Sequence, residues 1–258
     1  MIIAGRAGHN PICPGARALL DEVTEDRKIF IAAKEYLRNN HEFIDCTPEP
    51  VVGQNNDLNF GINKANSSAA SFFFSVHLNK AYSSYEGEIG AEIWLQNESS
   101  KLVPEAKRIL ANLESLGFKN RGIKYASKEG KKLAELSYTI MPAMIIECFF
   151  LEATEDVATY RRVGAEAIGF AIANGIDTNI NKNKKYFIIT NYLPKSEYGV
   201  ELNALWAKYF EGLNITRWYL DSNEKGAWIE TQYMDKDKAQ ILADRLKFDN
   251  MLWELVEE

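Results

Sequence analysis

One apolar run constrains the fold of this chain more than any other feature. Residues 71–76 contain three consecutive phenylalanines and no charged residue, and the run ends at His77. A continuous apolar run of this length is typical of a strand buried on both faces, as in the centre of a parallel sheet. The run therefore predicts a sheet that is covered by helices on both sides.

The flanking sequence supports that prediction, because strand-like and helix-like segments alternate along residues 1–176. Apolar residues recur at roughly helical spacing over residues 20–37, and residues 100–116 and 156–173 are also predicted helices. Further strands are predicted at residues 1–4, 42–46, 90–95 and 143–148. Alternation of this kind favours an α/β domain with a mostly parallel sheet.

A change in composition predicts a second domain. Residues 177–184 belong to an Asn- and Lys-rich stretch that is nearly free of large apolar side chains, which is typical of a linker. Beyond it, residues 185–258 show the order βαββαβ, with a hairpin turn predicted at residues 223–226. This order predicts a small α+β domain of the ferredoxin-like kind.

Composition excludes several classes of function. The net charge of −6 argues against a nucleic-acid partner. There is no apolar stretch of about 18 residues and no signal-peptide pattern, so we expect synthesis in the cytoplasm and no membrane insertion. The odd, widely spaced set Cys13, Cys46 and Cys148 indicates a reducing compartment rather than a disulfide framework.

Two of the three histidines follow predicted strands. His9 and His77 each end a strand, where sites of parallel sheets gather, whereas His41 ends the first helix and is interpreted as a solvated residue. Catalytic zinc takes three protein ligands and keeps one open position, so one ligand remains to be found. The start of the first helix offers four candidates, and their spacing does not choose among them: Asp21, Glu22, Glu25 and Asp26.

Glu147 is a charged residue inside the apolar strand at residues 143–148. Burial of a charge is costly unless the group is paired or functional. A carboxylate beside a metal-activated water is suited to act as a general base, and a structural ion pair is the alternative.

These residues belong to an ordered set of motifs that resembles the zinc-dependent N-acetylmuramoyl-L-alanine amidases of phage endolysins and spore-former autolysins. The set extends over residues 1–176 and comprises Gly8-His9, Gly15-Ala16, Glu22, Ala65-Asn66, Ser75, His77, Asn79, Gly90, Glu92, Arg121-Gly122, Pro142-Ala143, Glu147 and Phe150. Each motif is weak alone, but their order along the chain is specific.

The resemblance implies a zinc amidase catalytic domain at residues 1–176, with Zn²⁺ held by His9, Glu22 and His77. It implies that Glu147 is the catalytic acid/base, and Ser75, Asn79 and Glu92 are candidates for substrate contacts or for support of the ligands. The implied reaction is cleavage of the peptidoglycan amide between N-acetylmuramic acid and L-alanine. The enzyme would reach the wall by holin-assisted release or mother-cell lysis.

Two alternatives to this function stay open at the level of sequence. One is a zinc carboxypeptidase-like peptidase acting on stem peptides, and the other is a wall-binding protein without catalysis. For residues 185–258 the βαββαβ order is similar to SPOR-like folds, which predicts cell-wall glycan binding. Dimerisation is the other role open to this domain. Six aromatic residues could stack on sugars there or form its core: Trp206, Trp218, Tyr219, Trp228, Tyr233 and Trp253.

Overall fold

The structure is a computed structural model, and it describes residues 1–48, 54–181, 186–193, 206–207, 209–215 and 217–257. The chain forms two compact units, Met1–Asn181 and Lys182–Glu258. The first unit extends past residue 176, because Ile180 is buried in its core. Within the described ranges no helix is long and apolar enough to cross a membrane.

The first unit is built on a six-stranded sheet with the order β2-β1-β3-β6-β4-β5. Strands β2, β1, β3 and β6 are parallel, whereas β4 pairs antiparallel with β6 and parallel with β5. The strands are β1 (Ile2–Ala7), β2 (Glu42–Asp45), β3 (Phe72–Asn79), β4 (Ala91–Leu95), β5 (Asn120–Tyr125) and β6 (Ala143–Phe150). This confirms the predicted α/β class with a mostly parallel sheet.

Among the described residues of this unit, five helices cover the sheet on its two faces. They are α1 (Glu22–Arg38), α2 (Gln54–Asn66), α3 (Val103–Ser115), α4 (Ala134–Tyr138) and α5 (Thr154–Ile176). Helices α1, α3 and α5 share one core with Phe72, Phe74 and Val76, while α2 and α4 share the opposite core with Phe73. The phenylalanine run therefore lies in a strand buried on both faces, as predicted, because successive side chains of a strand point to opposite sides.

Three elements of this unit were not predicted. Helix α2 is rich in asparagine and β5 is half exposed, so neither shows an apolar period. Helix α4 has only five residues and carries two buried side chains, Glu135 and Leu136. Segments so short or so polar are specified by their neighbours rather than by their own pattern.

The second unit contains a four-stranded antiparallel sheet with the order β10-β7-β9-β8. Its elements are β7 (Tyr186–Thr190), β8 (Trp218–Asn223), β9 (Gly226–Thr231), α6 (Lys236–Phe248) and β10 (Leu252–Glu257). The predicted hairpin is present, with Asn223 opposite Gly226. The first helix of the predicted βαββαβ order lies partly outside the described residues.

Candidate functional site

Three neighbouring strands place three site residues side by side. In the sheet, His77 of β3 lies opposite Glu147 of β6, and Glu147 lies opposite Glu92 of β4. All three alternate with core residues such as Val76 and Ile146, so they project from the face that α2 and α4 cover. Side chains paired in this way across adjacent strands have Cβ atoms about 5 Å apart.

His9 follows β1 in an unusual backbone conformation. Its φ is 55°, in the left-handed region that residues with a side chain rarely adopt. The Arg27 guanidinium supports this turn, because it donates to the carbonyl oxygens of Gly8 (3.1 Å) and His9 (3.2 Å). The turn places the His9 ring edge-on against the His77 ring, with centroids 5.1 Å apart.

Glu22 is the first residue of α1 and carries the carboxylate that joins the two histidines. Its Oε1 lies 3.2 Å from His9 Nε2 and 3.3 Å from His77 Nδ1. The backbone amides of Leu78 (3.1 Å) and Ala16 (2.7 Å) donate to its two oxygens and fix their orientation. The amino terminus of the helix further favours a negative charge at this position.

The two histidines and Glu22 form a group that could hold a metal ion. Their ligand atoms all lie within 4.8 Å of one another. Zinc bonds of about 2.1 Å in tetrahedral geometry separate neighbouring ligand atoms by about 3.4 Å. The two distances to Glu22 Oε1, 3.2 Å and 3.3 Å, match that separation. Two imidazoles with one carboxylate are a typical ligand set of catalytic zinc. The residues present therefore fit the ion that the sequence analysis predicted.

The charges around this group also favour a cation. Burial alone favours the neutral Glu22 carboxyl, but hydrogen bonds and charges from His77 and His9 hold the pKa of Glu22 well below its usual range. Burial alone would lower the pKa of His77, but Glu135 and Glu22 raise it well above its usual value. Without an ion, a proton on His77 balances these carboxylates, and a bound metal would replace that proton.

Glu147 has an environment suited to proton transfer. Burial raises the pKa of its carboxyl to about 7; the nearby His77 lowers that pKa, and the carboxylates of Glu22, Glu92 and Glu135 raise it. Its Oε2 has no hydrogen-bond partner among the described residues. A carboxyl that titrates near neutral pH can both accept and donate a proton under ordinary conditions.

The three predicted support residues occupy different places. The Ser75 hydroxyl is buried and donates to Glu135 Oε2 at 2.8 Å. Glu92 accepts from Asn79 Nδ2 (3.1 Å), Trp94 Nε1 (3.1 Å) and Arg121 Nε (2.8 Å). These contacts occupy Ser75, Asn79 and Glu92 with other side chains of the protein.

His41 differs from its sequence interpretation. It was expected to be a solvated residue at the end of α1, but its side chain is only 8% exposed and its Nε2 lies 2.9 Å from Asp177 Oδ2. The residues that follow α5 fold back against the end of α1 and cover it. That interpretation was wrong, because the contact joins positions that are distant in the sequence.

Three buried charged residues near the site were missed by the sequence analysis: Arg6, Asp57 and Glu135. Arg6 pairs with Asp57 and lies 3.5 Å from Glu135 Oε1. Glu135 Oε2 in turn lies 3.6 Å from His77 Nε2. Arg6 had the same signal as Glu147, a charge inside an apolar strand, whereas the others lie in segments where acidic residues are common.

With this geometry established, comparison with known proteins identifies the first unit. The Amidase_3 family, described as N-acetylmuramoyl-L-alanine amidase, matches residues 1–178. The chain belongs to this family. The resemblance found in the sequence motifs is thereby confirmed.

Several proteins are similar to this amidase-family chain. An uncharacterized protein of Clostridium perfringens (strain 13 / Type A) is 43% identical over 188 residues, which cover 72% of this chain and 54% of that protein. The sporulation-specific N-acetylmuramoyl-L-alanine amidase of Bacillus subtilis (strain 168) is 25% identical over 69% of this chain and 67% of that enzyme. The chain thus spans about half the length of its Clostridium perfringens relative.

The fold has solved counterparts. The catalytic domain of the CD27L endolysin, which targets Clostridia Difficile, matches with a TM-score of 0.59 at 26% identity. The match covers 70% of the amidase-family chain and 99% of that domain. The covered share of this chain is close to the length of the first unit, Met1–Asn181.

Proposed function

We propose that this chain is a zinc-dependent peptidoglycan hydrolase that cleaves the amide between N-acetylmuramic acid and the L-alanine of the stem peptide. The observation that carries the proposal is the position of Glu147, directly across the sheet ladder from His77 in a metal-ligand group of the amidase family. In this proposal His9, Glu22 and His77 hold the ion, and Glu147 is the catalytic acid/base.

The chemistry follows from the surroundings of Glu147. A bound Zn²⁺ supplies Lewis-acid polarisation of the amide carbonyl and makes water at the site more acidic. Glu147 removes a proton from the attacking water and later delivers it to the leaving amino group of L-alanine. Burial raises the pKa of Glu147, which supports both steps because the carboxylate is then a stronger base and the carboxyl still delivers the proton.

The biological setting that we propose is lysis, by a phage endolysin or by an autolysin in a mother cell. Support comes from relatives of both kinds: an endolysin catalytic domain and a sporulation-specific amidase. In either setting the enzyme is made in the cytoplasm and meets peptidoglycan after release.

For the second unit we propose binding of cell-wall glycan. Residues Tyr192, Trp228 and Trp253 line a cleft of about 300 Å³ together with the polar side chains of Asn223 and Glu230. Aromatic faces next to hydrogen-bonding groups suit sugar rings, which present both apolar and hydroxyl surfaces. Residues 185–258 carry nine basic and thirteen acidic residues, so attraction of anionic wall polymers by charge is not the expected mode.

Product analysis on purified peptidoglycan tests the proposed activity. We expect the native chain to release new L-alanine amino termini. An EDTA-treated sample should release none, and Glu147→Gln should lose at least about 100-fold in rate while it still binds Zn²⁺. Glu129→Gln, at an exposed position, is the control and should retain full activity. Release of C-terminal amino acids instead would support the carboxypeptidase alternative. Absence of any cleavage would support the alternative of a wall-binding protein without catalysis.

Cosedimentation with insoluble peptidoglycan tests the second unit. The inactive Glu147→Gln chain prevents digestion during the assay, and Trp228→Ala is added to it. We expect the double variant to bind glycan at least about 10-fold more weakly, since truncation of a central Trp at a binding surface typically costs about 2 kcal/mol. Equal binding by both chains would contradict a role for this cleft.

A further inference from the structure

The two ring nitrogens of His77 face different groups. Its Nδ1 lies 3.3 Å from Glu22 Oε1, which is also 3.2 Å from His9 Nε2, so Nδ1 faces the metal-ligand group. Its Nε2 faces Glu135 Oε2 at 3.6 Å, slightly longer than a hydrogen bond. A neutral imidazole carries its proton on one nitrogen only, so the group opposite Nε2 decides which nitrogen has a lone pair for the metal.

Buried neighbours hold Glu135 near this position. It lies on α4, where Leu136 anchors the helix in the core on that face of the sheet. The Ser75 hydroxyl donates to Oε2 at 2.8 Å, and Arg6 Nε lies 3.5 Å from Oε1. Glu135 is only 3% exposed, so water cannot easily replace these contacts.

The charges around Arg6 indicate that it does not need Glu135 as a counter-ion. Asp57 already pairs with Arg6 through its carboxylate and accepts a second hydrogen bond at its backbone oxygen, 3.1 Å from Arg6 Nη1. Glu135 is therefore a second buried carboxylate beside one guanidinium. Burial of an additional negative charge is costly unless another partner compensates for it. His77 Nε2 is the group placed to do so.

We propose that Glu135 is a positioning residue that accepts the Nε2 proton of His77 and so directs the Nδ1 lone pair at the metal, with Ser75 holding the carboxylate in place. This inference rests on the metal ligation in the proposed function. Metal-bound histidines almost always donate their other ring N–H to a carboxylate, a carbonyl or water, which fixes the tautomer and strengthens the ligand. Movement of either side chain by less than 1 Å brings the 3.6 Å separation into hydrogen-bond range.

Metal affinity of the full-length chain tests the proposal without reliance on catalysis. The Kd for Zn²⁺ is measured by competition with a chromophoric chelator, and the absorption spectrum of the Co²⁺-loaded chain reports the ligand geometry. We expect Glu135→Gln to weaken Zn²⁺ binding by about 10- to 100-fold and to change the Co²⁺ spectrum. Ser75→Ala should weaken binding in the same direction by a smaller factor.

Asp57→Asn is the matched control. Asp57 is also a buried carboxylate paired with Arg6, and its described contacts do not include His77. We expect both this variant and Glu135→Gln to lose stability, but we expect Asp57→Asn to keep the native Zn²⁺ affinity within about threefold. Equal weakening by both variants would mean that the charge cluster acts only on folding, which would overturn the proposal.

A measurement on the unaltered chain tests the proposal even if the variants do not fold. Nitrogen-15 NMR of the Zn²⁺-loaded chain reports which nitrogen of His77 carries the proton. We expect a protonated Nε2, and a protonated Nδ1 would overturn the proposal. If the native chain binds no Zn²⁺, the proposed function itself fails. If it binds Zn²⁺ and Glu135→Gln binds equally well, only the role of Glu135 fails.

Discussion

Gly8→Ala should disable the metal centre by moving a ligand. A Cβ atom on Gly8 would lie 2.4 Å from Cε1 and 2.5 Å from Nδ1 of His77. Carbon atoms pack at about 3.5 Å, so the His77 ring must retreat by about 1 Å. Metal–ligand distances tolerate only about 0.2 Å, so His77 can no longer bind in the native geometry. We expect Zn²⁺ affinity to fall at least about 100-fold, or roughly 2.7 kcal/mol.

The assay is the same chelator competition, combined with thermal unfolding with and without Zn²⁺. Gly130→Ala is the control, because Gly130 has φ 63° but no atom within 4 Å of an added Cβ. It adds the same methyl group, with backbone strain that Gly8→Ala does not carry, and without a collision at the site. Native Zn²⁺ affinity in Gly8→Ala would refute the reasoning, and so would an equal loss of affinity in Gly130→Ala.

Three further predictions concern metal binding, the dependence of stability on pH and the core of the second unit. Zn²⁺ at a thousand times its Kd should stabilise the native chain by about 4.1 kcal/mol in thermal unfolding. Glu22→Gln should abolish that stabilisation. An unchanged stabilisation in the variant would contradict Glu22 as a ligand. Burial raises the pKa of Asp26 to about 8, above its unfolded value, so the metal-free chain should lose stability as pH rises from about 4 to 8. Urea unfolding at pH 8 should therefore show Asp26→Asn to be at least about 1 kcal/mol more stable than native, and a less stable variant would contradict this. Trp206→Ala should destabilise the second unit by about 3–5 kcal/mol in the same urea titration, since Trp206 is buried. Trp253 is exposed, so Trp253→Ala should reduce the free energy of unfolding by less than about 0.5 kcal/mol.

The first turn of α1 shows where sequence reasoning reaches its limit. Four acidic residues at its start were equivalent by pattern. In the structure Asp21 caps the helix through Thr24 N, Glu25 hydrogen-bonds to Tyr160, and Asp26 is buried beneath Gly8. Only Glu22 lies against both histidines. Helix periodicity predicts the direction in which each side chain points, but it does not predict which residues that side chain contacts.

The sequence by itself determined the sheet and the strand ends at which the site lies. The continuous apolar run that ends in His77 predicts a strand buried on both faces, and the charge at Glu147 inside an apolar strand indicates a paired or functional group, so both residues were visible in local pattern. The family was also visible in the sequence, because its motifs occur in order along the chain and each motif is contiguous.

Only the tertiary structure decided the surroundings of those residues. Glu135 is far from His77 in the sequence and lies on a helix of five residues, and Arg6 and Asp57 are joined only through the packing of α2 on β1. Such contacts depend on which elements meet across a sheet, and no local period encodes that choice. The supporting charges were therefore missed, although the histidines and Glu147 were visible, because burial of a paired charge is a property of both partners together.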